Sequence, residues 1–237
     1  MSRNIGAVIV AAGLSSRMGG YKPLMEIGGQ TVARRVVSAF AASEVSPIVV
    51  VTGHRADELE AHLREYAEGL SHNSHIEAAA RSALTGGHGE RGGGHGEQHR
   101  AQPIQFARNE AYATTPMFES ARIGLAHIMD QCARTFFCPI DIPLFTAATV
   151  RTLMGSGAPI AKPTHNGEEG HPIVLSTELI PAILERGGES GLKTALASFN
   201  GETERIEVPD KGILYDADTP ADFQKLLELE PSCSLTR

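Results

Sequence analysis

An uninterrupted apolar run from Ile5 to Ala12, centred on Val8, Ile9 and Val10, closes on Gly13 and gives way to a loop rich in glycine and serine. Such a run, with no polar residue alternating through it, is how a parallel strand covered on both faces reads. From Thr31, a capping residue type, Val32, Val36, Val37 and Phe40 recur at helical spacing, and Pro47 to Thr52 forms a second β-branched run. Strand, helix, strand in that order commits the chain to an α/β architecture.

The alternation continues. A second amphipathic helix is expected over Ala56 to Leu70, a strand over Ile104 to Ala107, a helix over Met117 to Asp130 and a strand over Thr135 to Pro139. Beyond Asp141 the pattern predicts a helix at Thr146 to Met154, strands at Pro159 to Lys162 and Pro172 to Leu175, and helices at Thr177 to Glu185 and Gly191 to Ala197. Strands at Thr203 to Val208 and Ile213 to Tyr215 and a terminal helix at Thr219 to Leu229, opened by Thr-Pro, complete it. The expected fold is a doubly wound, mostly parallel, Rossmann-like sheet whose ligand lies beyond the carboxyl ends of the strands.

With 237 residues the chain suits one domain, expected over 1–230, with an insertion at about 71–103 and a tail at 231–237. The formal charge of -7 lacks the basic footprint of a nucleic-acid binder, although a local cluster can still hold a free nucleotide. No apolar run is long enough to span a bilayer, and Ser2, Arg3 and Asn4 lead straight into the first strand, so a cytoplasmic protein without a membrane partner is expected. Cys132, Cys138 and Cys233 have neither the number nor the spacing of a disulfide framework or a zinc site.

The chemistry concentrates after the first strand, in Ala11-Ala12-Gly13-Leu14-Ser15-Ser16-Arg17-Met18-Gly19-Gly20-Tyr21-Lys22-Pro23. Small residues let backbone N–H groups approach an anion, and Arg17 and Lys22 add two charges that suit a polyphosphate. The loop is neither a Walker A sequence nor GxGxxG.

Ala11 through Lys22 matches without a gap the loop AAGxSxRMGxxK, and here the sequence resembles the MobA-like nucleotidyltransferases. Further matches are Asn109 followed by Pro116-Met117-Phe118-Glu119-Ser120, then Cys138-Pro139-Ile140-Asp141-Ile142-Pro143-Leu144, which resembles GDxPL with Ile140 in place of glycine. Gly170-His171-Pro172, Gly191-Leu192-Lys193 and Asp216-Ala217-Asp218-Thr219-Pro220 are similar to the family's GHP, G-x-R and DxDTP elements. The Ala-Ala-Gly form looks like the molybdenum-cofactor cytidylyltransferases, so the resemblance implies CTP rather than GTP.

The resemblance implies a nucleotide held by Ala11, Ala12, Gly13, Ser15, Arg17, Gly19, Lys22, Asn109 and Ser120, with Arg17, Lys22 and Asp141 acting in catalysis. It implies Mg²⁺ on Asp141 and Asp216, with Asp218 as second choice, since hard carboxylate oxygens suit that ion. Read alone, Asp141 also fits a turn-initiating aspartate, and Asp218 before Thr-Pro fits a helix cap. His171 either lines an acceptor pocket or packs, Ser120 either binds nucleotide or faces solvent, and Lys193 keeps the charge but not the planar fork of the family's arginine. The implied reaction is attack of an acceptor phosphate on the α-phosphorus of CTP with release of pyrophosphate, the acceptor being the pterin phosphate of the molybdenum cofactor. Transient docking on a molybdenum hydroxylase is a further implied partner. Other small phosphates, or a binding chaperone without turnover, are the alternatives.

Between Ser71 and Pro103 periodicity is lost; Gly86 to Gly96 holds seven glycines, and His72, His75, His88, His95 and His99 fall in the same stretch. Bringing histidines on a glycine-rich tether to one metal costs much ordering entropy, so a flexible insertion is expected. Gly87 to Gly92 matches GxGxxG but follows no strand, and is not read as a dinucleotide site.

Overall fold

The computed structural model describes residues 4–69, 104–187 and 191–234. The expected insertion, with its five histidines and the GxGxxG match, lies outside them.

In chain order the elements are β1 (Ile5–Val10), a hairpin of β2 (Glu26–Ile27) and β3 (Gln30–Thr31), α1 (Val32–Ala41), β4 (Ile48–Thr52), α2 (56–69), β5 (Gln105–Arg108), α3 (Met117–Ile128), β6 (Arg134–Pro139) and α4 (Ala147–Met154). Then follow β7 (Ile160–His165), β8 (Glu168–Glu169), β9 (Ile173–Ser176), α5 (Ile180–Gly187), α6 (Gly191–Ala197), β10 (Thr203–Glu207) and α7 (Pro220–Ser234). The main sheet runs β10-β7-β9-β6-β1-β4-β5, with β8 on β7. β1 pairs in parallel with both β4 and β6, β4 with β5 and β10 with β7, while β9 is antiparallel to β6 and β7.

β1 shows why the first run carries no polar residue. Ala7 and Ile9 face one core, with Val36 and Phe40 of α1 and Leu59 and Leu63 of α2; Val8 and Val10 face the other, with Leu125 of α3 and Ile183 of α5. Both faces are covered, and removing such a side chain, for example Leu125→Ala, costs about 2–5 kcal/mol. Thr31 caps α1 as expected, its hydroxyl accepting from the Arg34 backbone N–H at 3.2 Å.

One expectation is corrected. The stretch at Ile213 is a 3-10 turn, Lys211–Leu214, and not a strand, because Asp210 accepts from the Gly212 N–H and curls the chain. The strand expected after His171 forms, and it is antiparallel to its neighbours: β9 follows the short β7–β8 hairpin at Asn166 and Gly167, which turns the chain back.

The reversal positions the site. The carboxyl ends of β1, β4, β5 and β6 share one edge of the sheet, and the antiparallel β9 begins there, with Ile173 opposite Phe137. β1 is also where the strand order switches direction, so the crevice for a ligand opens at its end. No helix among the described residues is long and apolar enough to cross a membrane.

Candidate active site

The loop after β1 leaves the sheet through Ala11, whose N–H bonds to the Val51 carbonyl at 2.8 Å, and Ala12, whose carbonyl accepts from the His54 N–H at 3.2 Å. Both alanine side chains are buried, and Gly13 is exposed. Gly53 permits the approach of β1 and β4 at this point, since a Cβ there would stand 2.8 Å from the Ala12 carbonyl oxygen and 2.7 Å from the Tyr112 Cβ. Ser15 and Gly19 turn the loop with positive φ, and the Ser15 hydroxyl accepts from the Lys22 N–H at 3.2 Å. Between them Ser16 and Arg17 are exposed, while Met18 is buried in the core.

Lys22 is the pivot. Its side chain is only 10% exposed, and its ammonium donates to Asp141 Oδ2 at 3.4 Å and Asp218 Oδ1 at 3.2 Å. Arg17, 72% exposed, lies 3.7 Å from the other Asp218 oxygen. Two backbone bonds fix the carboxylate loops to each other and to β1: the Ala217 N–H donates to the Asp141 carbonyl at 2.9 Å, and the Ile140 N–H to the Val10 carbonyl at 3.0 Å. Ile140, where the family pattern has glycine, is buried in the core.

Asp216 neighbours this cluster. Burial raises its carboxyl above the ordinary aspartate range, and the negative charges of Asp218, Asp141 and Asp222 raise it further, with Lys22 only partly opposing them. Thus one buried ammonium faces more carboxylate than it can neutralise, a donor set that suits an added hard cation. No group of three or more His, Cys, Asp or Glu among the described residues is already arranged as a metal cage.

The helix-cap reading of Asp218 is corrected. Thr219 caps α7, its hydroxyl accepting from the Asp222 N–H at 3.2 Å, while Asp222 accepts from the Thr219 N–H at 3.0 Å. This reciprocal capping box leaves Asp218 free to face Lys22 and Arg17.

Asn109 and Ser120 are brought together, but inward. Asn109 is 2% exposed and donates to Ser120 Oγ at 3.0 Å and Thr115 Oγ1 at 3.1 Å, while its side-chain oxygen accepts from the Ala111 N–H. The pair holds the 110–116 loop in shape rather than presenting free polar atoms. His171 stands at the start of β9 behind a cis peptide bond, with a lowered pKa that comes first from burial; its Nδ1 has no hydrogen-bond partner among the described residues. Gly170 lets this strand start lie against the Ile213 carbonyl, which a Cβ would approach to 2.4 Å. Lys193 is exposed on α6, with no ion pair or hydrogen bond among the described residues.

Sequence reasoning missed two groups. Tyr21, His54, Arg55 and Tyr112 converge between the loops after β1, β4 and β5, with ring separations of 5.7 Å for Tyr21–His54 and 5.9 Å for His54–Tyr112. Glu60 of α2 is clamped by Thr52, Arg64 and Arg108, with Arg108 also reaching Asp57. A cavity of about 370 Å³ lies beside them, bounded by Gly53, Arg55, Glu58, Arg108, Asn109 and Glu110 among others.

The model of the MobA-like NTP transferase domain matches residues 7–205. The chain belongs to that family. As a MobA-like protein it is a nucleotidyltransferase. It is 27% identical over 222 residues to the molybdenum cofactor cytidylyltransferase of Escherichia coli K12, covering 92% of this chain and 93% of that protein. Among solved structures, a nucleotidyl transferase from Methanothermobacter thermautotroptrophicus superposes with a TM-score of 0.70 at 21% identity over the whole of both chains. Rv0371C from Mycobacterium tuberculosis H37Rv, in complex with manganese, superposes with a TM-score of 0.63 at 18% identity over 95% of this chain and 98% of that one. These two share the fold.

Proposed function

We propose that this MobA-like protein transfers CMP from CTP to the phosphate of the pterin form of the molybdenum cofactor, releasing pyrophosphate in an Mg²⁺-dependent reaction. The observation that carries the reading is the single buried Lys22 ammonium set between Asp141 and Asp218 at the strand-order switch. The cytidylyltransferase relative, similar along nearly all of both chains, supports the choice of nucleotide and acceptor.

In this reading the backbone from Ala11 to Gly13, with Ser15 and Gly19, receives the triphosphate, and Arg17 and Lys22 stabilise charge moving onto the departing pyrophosphate. Asp141 and Asp218 hold the metal, with Asp216 beside them; Mg²⁺ when bound neutralises the crowded phosphate oxygens. Manganese in a protein of the same fold fits that donor set. No protein base is needed, because a phosphate monoester with a second pKa of about 6 is mostly dianionic at neutral pH. The site's work is to orient the two substrates and screen their charge. Asn109 and Ser120 shape the nucleotide side from behind, while His171 and Lys193 are assigned to the acceptor side. The domain spans 1–230 with its insertion at about 71–103, and the product is handed on by transient docking to a molybdenum hydroxylase.

The test is incubation of the purified protein with each nucleoside triphosphate, Mg²⁺ and a panel of acceptors (pterin phosphate, sugar phosphates, alcohol phosphates), measuring pyrophosphate release. Turnover confined to CTP with the pterin acceptor is the expected result. Turnover only with another pair makes this a different nucleotidyltransferase, and tight nucleotide binding without release under any pairing makes it a binding protein.

A further inference from the structure

Tyr21 immediately precedes Lys22, and its ring is buried on the loop whose neighbouring tip, Ser15 to Gly20, is mostly exposed. The phenol oxygen is buried with no hydrogen-bond partner among the described residues, so the hydroxyl does not explain the residue. The ring's neighbours do. The Arg55 guanidinium lies 4.7 Å from its centroid, and the His54 ring meets it edge-on at 5.7 Å.

Arg55 is itself held in an uncommon state. It adopts φ +51 without being glycine, and both of its donors on one side reach Glu58 at 2.6 Å. Non-glycine residues in that region cost free energy and persist where surrounding contacts over-determine them. Here the bidentate carboxylate and the cation–π stack on Tyr21 hold it. His54 extends the line to Tyr112, so one continuous packed row joins the loops after β1, β4 and β5.

We propose that Tyr21 is a positioning residue that acts through Lys22: the grip of Arg55 and His54 on its ring sets where the Lys22 ammonium stands against Asp141 and Asp218. The Lys22 backbone is held by its N–H bond to Ser15 Oγ and by its carbonyl, which accepts from the Met25 N–H at 3.1 Å, while the ring of the preceding residue is fixed from two sides. Through the same row, the turn at Gly53 to Arg55 that borders the 370 Å³ cavity is mechanically joined to the phosphate-binding lysine. The inference rests on the reading of Lys22 as a polyphosphate ligand given above.

The experiment measures binding of inorganic pyrophosphate with Mg²⁺ by calorimetry, together with thermal midpoints, for Tyr21→Leu, Tyr21→Phe, Arg55→Ala, Lys22→Ala and the doubles Tyr21→Leu/Lys22→Ala and Arg55→Ala/Lys22→Ala. Tyr21→Leu is expected to weaken pyrophosphate about tenfold, as displacement of one charged contact would. Tyr21→Phe keeps the ring and restores affinity. Neither Tyr21→Leu nor Arg55→Ala weakens binding further once Lys22 is alanine, because a residue that works only through another is non-additive with it. Additive losses, or wild-type affinity in a folded Tyr21→Leu protein, overturn the proposal. If Tyr21→Leu does not fold, the partly exposed Arg55→Ala decides by the same cycle. Unchanged pyrophosphate affinity in Lys22→Ala overturns the phosphate reading and this inference with it, whereas a weakened Lys22→Ala beside an unaffected Tyr21→Leu removes the inference alone.

Discussion

Glu60 and Asp216 are both carboxylates near the carboxyl edge of the sheet, and their surroundings push their proton affinities in opposite directions. Arg108 holds Glu60 down to about 2, helped by Thr52 and Arg64, so its charge is fully answered by its neighbours. Asp216 is raised by burial and by Asp218, Asp141 and Asp222, with Lys22 alone opposing. A carboxylate supplied with more cation than it needs ties β4, α2 and β5 together. A carboxylate cluster with too little cation is poised to gain from one that arrives with a substrate.

The sharpest break in this contrast is Asp141→Asn, which removes an anion from the cation-poor cluster at nearly constant volume. Turnover falls by at least about a hundredfold while the thermal midpoint holds. Full activity in that variant would discard the two-carboxylate site. Lys22→Ala follows with a loss of about two orders of magnitude, roughly 2.7 kcal/mol, read as pyrophosphate release by a folded protein.

A finer cut separates the neighbouring aspartates. Because Asp218 meets Lys22 and Arg17, Asp218→Asn lowers turnover about tenfold or more and exceeds the effect of Asp216→Asn; the reverse ranking moves the ligand role back to Asp216. Combined with Asp141→Asn, neither adds much, since members of one metal site are strongly non-additive.

On the cation-rich side, Glu60→Gln costs about 2–3 kcal/mol of stability, measured by urea unfolding near neutral pH, with a smaller effect on turnover. Its folded pKa is depressed, so its stabilisation is present above the ordinary glutamate value near 4.5 and is lost as pH falls toward about 2. The glutamine variant should therefore flatten the acid limb of stability against pH, and an unchanged limb would assign acid sensitivity elsewhere. The smallest effect expected is deletion of Gly86 to Gly96, which leaves turnover within about twofold. Residue 69 of α2 and Ile104 before β5 both lie toward the edge opposite Lys22, since β5 runs parallel to β4. Lost activity, or tightly bound Zn²⁺ that disappears with the deletion, would give that segment a role at the site.

The alternation of strands and helices was legible because burial on both sheet faces writes itself as local periodicity; α1, β6 and α4 fall within a residue or so of expectation, and β1 ends two residues short of its apolar run. The direction of β9 was not, because an apolar run of four residues reads the same either way along a sheet; only the hairpin at Asn166 and Gly167 decides it. The Asp218 reading failed for a similar reason. Asp-Thr-Pro offers two capping residues, and the geometry that chose Thr219 depends on Asp222 three residues on. Lys22 could be read from the loop, but its pairing with residues 119 and 196 positions away, and the convergence of Tyr21, His54, Arg55 and Tyr112, are properties of the folded edge alone.

The reversal of β9 has a consequence for how a protein of this kind could change. The nucleotide loop, the 53–55 turn and Asn109 come from strand ends in the first half of the chain, while His171 precedes the reversed β9 and the 216–218 turn follows β10, which runs in the same direction as β6. On the assignments proposed above, the donor is read by strand ends of the first half and the acceptor by His171 and Lys193 on later segments, with the 216–218 turn tying the two through Lys22 and the Ala217 to Asp141 bond. A lineage could accumulate substitutions around His171 and Lys193, and so acquire a new acceptor, while Asp216, Asp218 and the nucleotide it spends stayed the same.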